Sequence, residues 1–170
     1  MTEKIIEIQR FIGTEYYHVE SSLWKIFRTN NNQYRLLLTL VCDKPIKQFE
    51  DTEYLNNHFL WEVSYILPNK TELVLNSGDK FKTCEDDKNL YGDMGIVYFV
   101  DHMNTRNNRC EILDKDNSCL KLKLYSEVED FNAYGVPCSR LIYEGWFEYD
   151  AISSGANWIA DGEESVELEF

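Results

Sequence analysis

The chain has 170 residues with 30 acids against 17 bases, a formal charge of −13, 44% apolar residues and 14% aromatic ones. At this length one domain buries roughly 70% of the surface its unfolded chain exposes, so a core forms without disulfide or metal staples. The acidic balance excludes a nucleic-acid binder, which needs clustered lysines and arginines for phosphate, and it disfavours an anionic membrane surface for the same reason.

The charge is unevenly placed. Residues 1–42 are near neutral, with five bases and four acids, whereas residues 131–170 hold eight acids and Arg140 alone. No block of five or six like charges occurs, so the acids are expected on folded structure rather than on a disordered tail.

In chain order, residues 5–12 (Ile5, Ile6, Ile8, Phe11, Ile12) fit a helical stripe and an edge strand equally well. Leu23 to Arg28 and Tyr34 to Cys42 flank Asn30-Asn31-Asn32, and read as a hairpin whose asparagines tolerate positive φ. Tyr34 to Val41 is apolar on both faces, which predicts a doubly buried strand. A short helix is expected from Phe49 or Glu50 to His58, with Asp51 or Thr52 as N-cap. Phe59 to Leu67 and Glu72 to Asn76 flank Pro68-Asn69-Lys70 as a second hairpin. Asn76-Ser77-Gly78-Asp79 is a turn, and Gly95 to Val100 a strand.

Arg109 to Leu113 and Leu120 to Tyr125 form a further hairpin, with Leu120, Leu122 and Leu124 on one face and Lys121, Lys123 and Tyr125 on the other. In Leu141 to Asp150, Leu141, Tyr143, Gly145, Phe147 and Tyr149 share one face; Ile142, Glu144, Trp146, Glu148 and Asp150 share the opposite one. Val166, Leu168 and Phe170 alternate with Glu167 and Glu169 as a last strand. The expected fold is therefore mainly β: a single domain over residues 1–170, an antiparallel sandwich or barrel of about eight to ten strands with at most one or two short helices.

Sites of chemistry are scarce. Cys42, Cys84, Cys110, Cys119 and Cys138 form no CxxC pair and read as reduced, buried thiols of a cytoplasmic protein. His18, His58 and His102 are too far apart in the chain for a structural zinc set, and no metal or cofactor is expected. The start of the chain lacks an apolar signal region. Asp114 to Ser118 resembles the opening of a calcium loop, but Cys119 and Tyr125 stand where glycine and glutamate are required, which leaves a hairpin turn.

Cys-His nucleophile chemistry through Asp101-His102 has no supporting motif, and Gly92-Asp93-Met94-Gly95 is a lone turn rather than a phosphate loop. The clusters Glu85-Asp86-Asp87 and Asp161-Gly162-Glu163-Glu164 read as solvated turns. For a carboxylate-dependent hydrolase, Glu144 and Glu148 on a strand stand roughly 13 Å apart, beyond the separation of about 6.5–9.5 Å that an inverting glycosidase uses. Glu148 and Asp150, at roughly 7 Å, meet that test, as do any two acids two positions apart on a strand.

The terminal segment is the one surface that points to a role. Glu144, Trp146, Glu148 and Asp150 on one face, followed by Asp161, Glu163 and Glu164, combine an aromatic anchor with acids that complement a basic partner. In size and acidity the chain is similar in character to immunity and inhibitor proteins. A non-enzymatic module neutralising a basic protein is the leading expectation. A barrel or sandwich holding a small ligand among its aromatics is the second, and the hydrolase the third.

Overall fold

The computed structural model describes residues 4–52, 58–67, 73–83, 95–99, 102–131, 138–151, 164–166 and 168. Regular structure among them is entirely β: β1 (Ile5–Arg10), β2 (Gly13–Arg28), β3 (Tyr34–Lys47), β4 (Phe59–Leu67), β5 (Lys80–Lys82), β6 (Gly95–Tyr98), β7 (His102–Asp116), β8 (Cys119–Val128), β9 (Ser139–Tyr149) and β10 (Glu164–Ser165). Period-two patterning explains why. In β8, Leu120, Leu122 and Leu124 are fully buried while the intervening lysines face outward. Leu141, Tyr143 and Phe147 of β9 repeat the pattern. Only one face of such a segment can be buried, and a closed sheet supplies a single interior for all of them.

The strands pair in the order β1-β9-β8-β7-β6-β4-β3-β2, and the β1–β2 ladder closes this path into a ring of eight. Hairpin turns follow the sequence: Asn32 (φ 58) between β2 and β3, and Asn117 (φ 49) between β7 and β8, take the left-handed conformation that asparagine tolerates. β2 is the organising strand. One edge of it pairs in succession with β1, with β9 in parallel at Leu23 and Trp24, and with β10 at Phe27 and Arg28. Register shifts around Val19 move its inward positions from Tyr17 and Val19 to Ser22, Trp24 and Ile26, so that the long strand stays wrapped around the core.

Large apolar side chains fill the interior, each worth about 1.5–3 kcal/mol on burial. Near the β1–β2 turn, Tyr17 meets Phe59 edge-on (5.1 Å between ring centroids), Phe59 stacks on Phe99 (5.4 Å), and Phe99 meets Phe131 at a tilt (4.8 Å). Trp24 and Phe147 lie toward the opposite end, where Trp24 Nε1 donates to Ser118 O (2.9 Å) across the β7–β8 turn.

The first end is closed by charge. Arg10 points inward and donates two bonds to Asp130 (2.9 Å each), two to Asp51 (2.8 and 2.7 Å) and one to Glu15 (3.2 Å). Glu15 also accepts from Tyr17 Oη, Phe49 N and Thr52 Oγ1, and Asp130 accepts from Ser139 Oγ. These bonds fasten the segments around Asp51 and Asp130 to the β1–β2 hairpin.

Several expectations are settled or corrected here. Residues 5–10 are a strand, because Ile6 and Ile8 pair with Tyr143 and Leu141 of β9. The expected helix at residues 49–58 is not present where it is described: residues 50–52 form a turn, and residues 53–57 lie outside the described set. Thr52 Oγ1 donates to Glu15 Oε1 (2.6 Å), with Phe49 O also within reach, instead of capping backbone N–H groups, and Asp51 binds Arg10. Residues 73–76 form no strand, while the expected turn at residues 68–70 lies outside the described set.

The strand expected to be doubly buried over Tyr34 to Val41 is buried on both faces only from Arg35 to Leu38, with Thr39 and Val41 half-buried. The last strand is short, Glu164–Ser165, with Glu167, Glu169 and Phe170 outside the described residues. Cys42 and Cys110 are buried, whereas Cys119 and Cys138 are only half-buried; Cys84 is outside the described set. No helix among the described residues is long and apolar enough to cross a membrane.

Candidate functional site on the outer face of β8 and β9

β9 separates its side chains as the sequence implies. Glu144 and Glu148 are exposed and Trp146 is half-buried on the outer face, opposite the buried Leu141, Tyr143 and Phe147. Antiparallel pairing places Lys123 opposite Glu144, Lys121 opposite Trp146 and Cys119 opposite Glu148. Lys121 Nζ reaches diagonally to Glu144 Oε1 at 3.3 Å. One strand further on, Lys123 faces Glu111, which pairs with Lys80 (3.2 Å). The outer wall thus reads Lys80, Glu111, Lys123, Glu144 across four strands. Glu144 sits in an alternating charge row, and the acids of β9 are flanked by lysines that the sequence places more than twenty residues away.

The neighbouring positions extend this mixed surface. Tyr125 lies between Arg109, whose guanidinium is 5.4 Å from its ring, and Ile142. Glu127 accepts hydrogen bonds from Tyr125 Oη and Asn107 Nδ2 (2.7 Å each), which hold its carboxyl below the ordinary range. Exposed pairs of this kind contribute roughly 0–1 kcal/mol each, so they shape recognition more than stability.

The remaining expected residues do not converge on Trp146. Asp150 follows the strand end, where its N–H donates to Trp24 O (3.0 Å). Glu164 is exposed and opposite Arg28, five positions along β2 from the Leu23 that faces Glu148, or roughly 16 Å. Arg28 is itself exposed, so Glu164 and its partner form a surface apart from the Trp146 face. Asp161 and Glu163 lie outside the described residues, as do Glu85, Asp86, Asp87 and Asp101.

Other chemistry finds little support in the geometry. Among the described residues no group of three or more histidines, cysteines, aspartates or glutamates is placed to hold a metal ion. Burial pushes the Cys42 and Cys110 thiols well up, which keeps them protonated and poor as nucleophiles. His18 Nδ1 and Asp43 Oδ1 stand 2.7 Å apart at the surface, and this contact holds the Asp43 carboxyl low.

Two features escaped sequence reasoning. One is the Arg10 cluster, for which the alternation of Glu15 with Tyr17 on a single face was an available signal. The other is a set of three interior polar atoms, Trp61 Nε1, Tyr65 Oη and Tyr143 Oη, which are buried without a hydrogen-bond partner among the described residues.

Ring closure and the filled interior define a small closed antiparallel β-barrel. No protein-family model, no curated protein and no solved structure matches the chain.

Proposed function

We propose that the protein is a non-enzymatic binding module of the immunity or inhibitor type, which docks a basic protein against the outer ridge of β9. The observation that carries this reading is Trp146: a large aromatic, half-buried and outward, between exposed Glu144 and Glu148 on a strand whose alternate residues are fully buried. A rigid aromatic ringed by charge has the make-up of an interface anchor. The lysine row beside it restricts which basic surfaces fit, since a uniformly cationic partner would meet Lys121 and Lys123 as well as the glutamates.

The test is association with a basic protein recovered from the source cell, followed at several ionic strengths. The association rate is expected to fall at least tenfold between low and high salt. Trp146→Ala with Glu148→Ala should weaken the complex by about 2 kcal/mol or more, roughly thirtyfold. Lys121→Gln, which releases Glu144, should raise the association rate. A rate independent of salt together with an undiminished complex for the double variant would sink the reading.

A further inference from the structure

A regular strand turns residues three apart to opposite faces. β7 departs from that rule at Arg106 and Arg109, which are both exposed on the outer wall. Between them β7 advances three residues while β8 advances two, from Glu127 to Tyr125, so one residue is extra. Asn107 carries the kink in the left-handed conformation (φ 51), and its Nδ2 donates to Glu127 Oε2 (2.7 Å). Asn108 turns inward and is 1% exposed. There its Oδ1 accepts from Thr105 Oγ1 (2.7 Å) and Ser126 Oγ (2.5 Å), and its Nδ2 donates to Thr83 Oγ1 (3.3 Å). Gly95 leaves room for this network, since a Cβ there would lie 2.9 Å from Asn108 Nδ2. Hydrogen bonds thus fix the bulge from inside and outside, and its effect is to turn both arginines outward.

Further bases join them. Lys82 is opposite Arg109 across β5 and β7, and Arg140 is opposite Glu127 across β8 and β9. Two adjacent outward rows result, Lys82-Arg109-Tyr125-Ile142 and Arg106-Glu127-Arg140. They hold four bases and one acid, in a chain where acids outnumber bases 30 to 17. Glu127 is already engaged by Tyr125 Oη, by Asn107 and, at 3.9 Å, by Arg106. Lys82, Arg109 and Arg140 are in no ion pair among the described residues. Arg109 rests on the Tyr125 ring instead (5.4 Å), and the Arg140 charge acts on both Tyr125 and Glu127.

Such a patch attracts an anion, and the rest of the molecule restricts its size. At physiological salt, charges beyond about 8–10 Å are screened, so a short acidic segment meets mainly the local bases. A nucleic acid, or a second copy of this chain at −13, would bring its whole charge against the acidic remainder. Tyr125 and Ile142, both half-buried, supply an apolar floor beside the arginines. Arg109 and Arg140 stand two strands and two residues apart, roughly 12 Å between Cα atoms. In an extended segment residues i, i+2 and i+4 share one face and span roughly 13 Å.

We infer that the outer face of β7, β8 and β9 around Tyr125 docks a short, extended, acidic segment of a partner protein. Carboxylates at i and i+4 meet Arg109 and Arg140, and a bulky apolar residue at i+2 lies against Tyr125 and Ile142. Trp146 is four residues further along β9 than Ile142, roughly 13 Å. The two surfaces take ligands of opposite sign, and either can act without the other.

The probe is the capped peptide acetyl-Glu-Ala-Phe-Ala-Glu-amide, titrated into the isotope-labelled full chain while its amide signals are followed. The amides of Tyr125 and Arg140 should shift while those of Trp146 and Glu148 stay, and the Kd should rise with ionic strength. Arg109→Gln with Arg140→Gln should weaken binding about tenfold. Both side chains are exposed, so this variant should melt as the natural chain does. Lys44→Gln with Lys115→Gln removes the same charge from exposed positions elsewhere, and should bind within about twofold of the natural chain. Three results overturn the inference: no shift at Tyr125 and Arg140, equal binding of acetyl-Gln-Ala-Phe-Ala-Gln-amide, or equal losses in the two double variants, which would reduce the effect to net charge. Tighter binding of an oligothymidylate at the same amides would overturn it in favour of nucleic acid. Self-association abolished by the arginine double variant would overturn it in favour of a second copy.

Discussion

Two of the places where the barrel buries polar groups are treated in opposite ways. At the β1–β2 end Arg10 makes five hydrogen bonds, and the side chains of Glu15 and Asp130, both fully buried, are satisfied several times over. Elsewhere in the core, Trp61, Tyr65 and Tyr143 hold donors that find no acceptor among the described residues. The first region spends its polar atoms on fixing three segments to one another. The second leaves them unpaired among the described residues, at a cost in stability.

The comparison breaks most directly at Arg10. Arg10→Met leaves three carboxylates around an apolar side chain, and should lower stability by about 3–5 kcal/mol, read from the urea midpoint. A loss within experimental error of zero would mean that the end is held by its aromatics alone. Next in size is Gly145→Ala, where the new methyl meets the Tyr143 hydroxyl. Overpacking of this kind should cost about 1–3 kcal/mol by the same measurement, and the near-ultraviolet signal of the tyrosines should change with it.

The smallest expected effect lies on the outer wall, at a group intermediate between the two regions. Glu62 accepts one hydrogen bond, from Thr39 Oγ1 (3.3 Å), but burial outweighs it and pushes the carboxyl up. A folded value above the unfolded one, about 4.3, means the folded state favours the protonated acid. Its penalty is absent below the unfolded value and grows as pH rises through the folded one. Glu62→Gln should therefore be more stable than the natural chain at pH 7, by under about 1 kcal/mol, with the difference vanishing toward pH 4 in paired urea titrations. A difference that grows on acidification would reverse the sign and refute the assignment.

How far these features could be read beforehand depends on the distance over which each is decided. The inward and outward faces of β8 and β9 follow from period two alone, so Leu122 against Lys123 and Phe147 against Trp146 were legible. β1 was not, because Ile5, Ile6 and Ile8 satisfy both periods; a ladder to residues more than 130 positions away makes it a strand. Closure of the sheet was undecidable for the same reason, as it rests on β1 meeting both β2 and β9.

The candidate surface was half legible. Alternation put Glu144, Trp146 and Glu148 together, but the Lys121 contact depends on the β8–β9 register, which composition does not encode. Asp51 and Thr52 resembled helix caps because caps and buried ion-pair partners draw on the same short polar residues. The unpaired donors had no signal at all. A sequence shows which side chains can donate, and only a structure shows which of them find an acceptor.

The succession of partners along one edge of β2 governs how the molecule comes into being. Its parallel contact with β9 joins residues about 125 positions apart, and by loop-closure entropy such a contact costs about 2 kcal/mol more to bring together than a short hairpin. Ring closure therefore comes late, and folding is slow relative to hairpin formation. During synthesis, a nascent chain that has not yet released β9 presents β1 and β8 as unpaired sheet edges. In that interval the polypeptide is most open to pairing with its own copies on the ribosome.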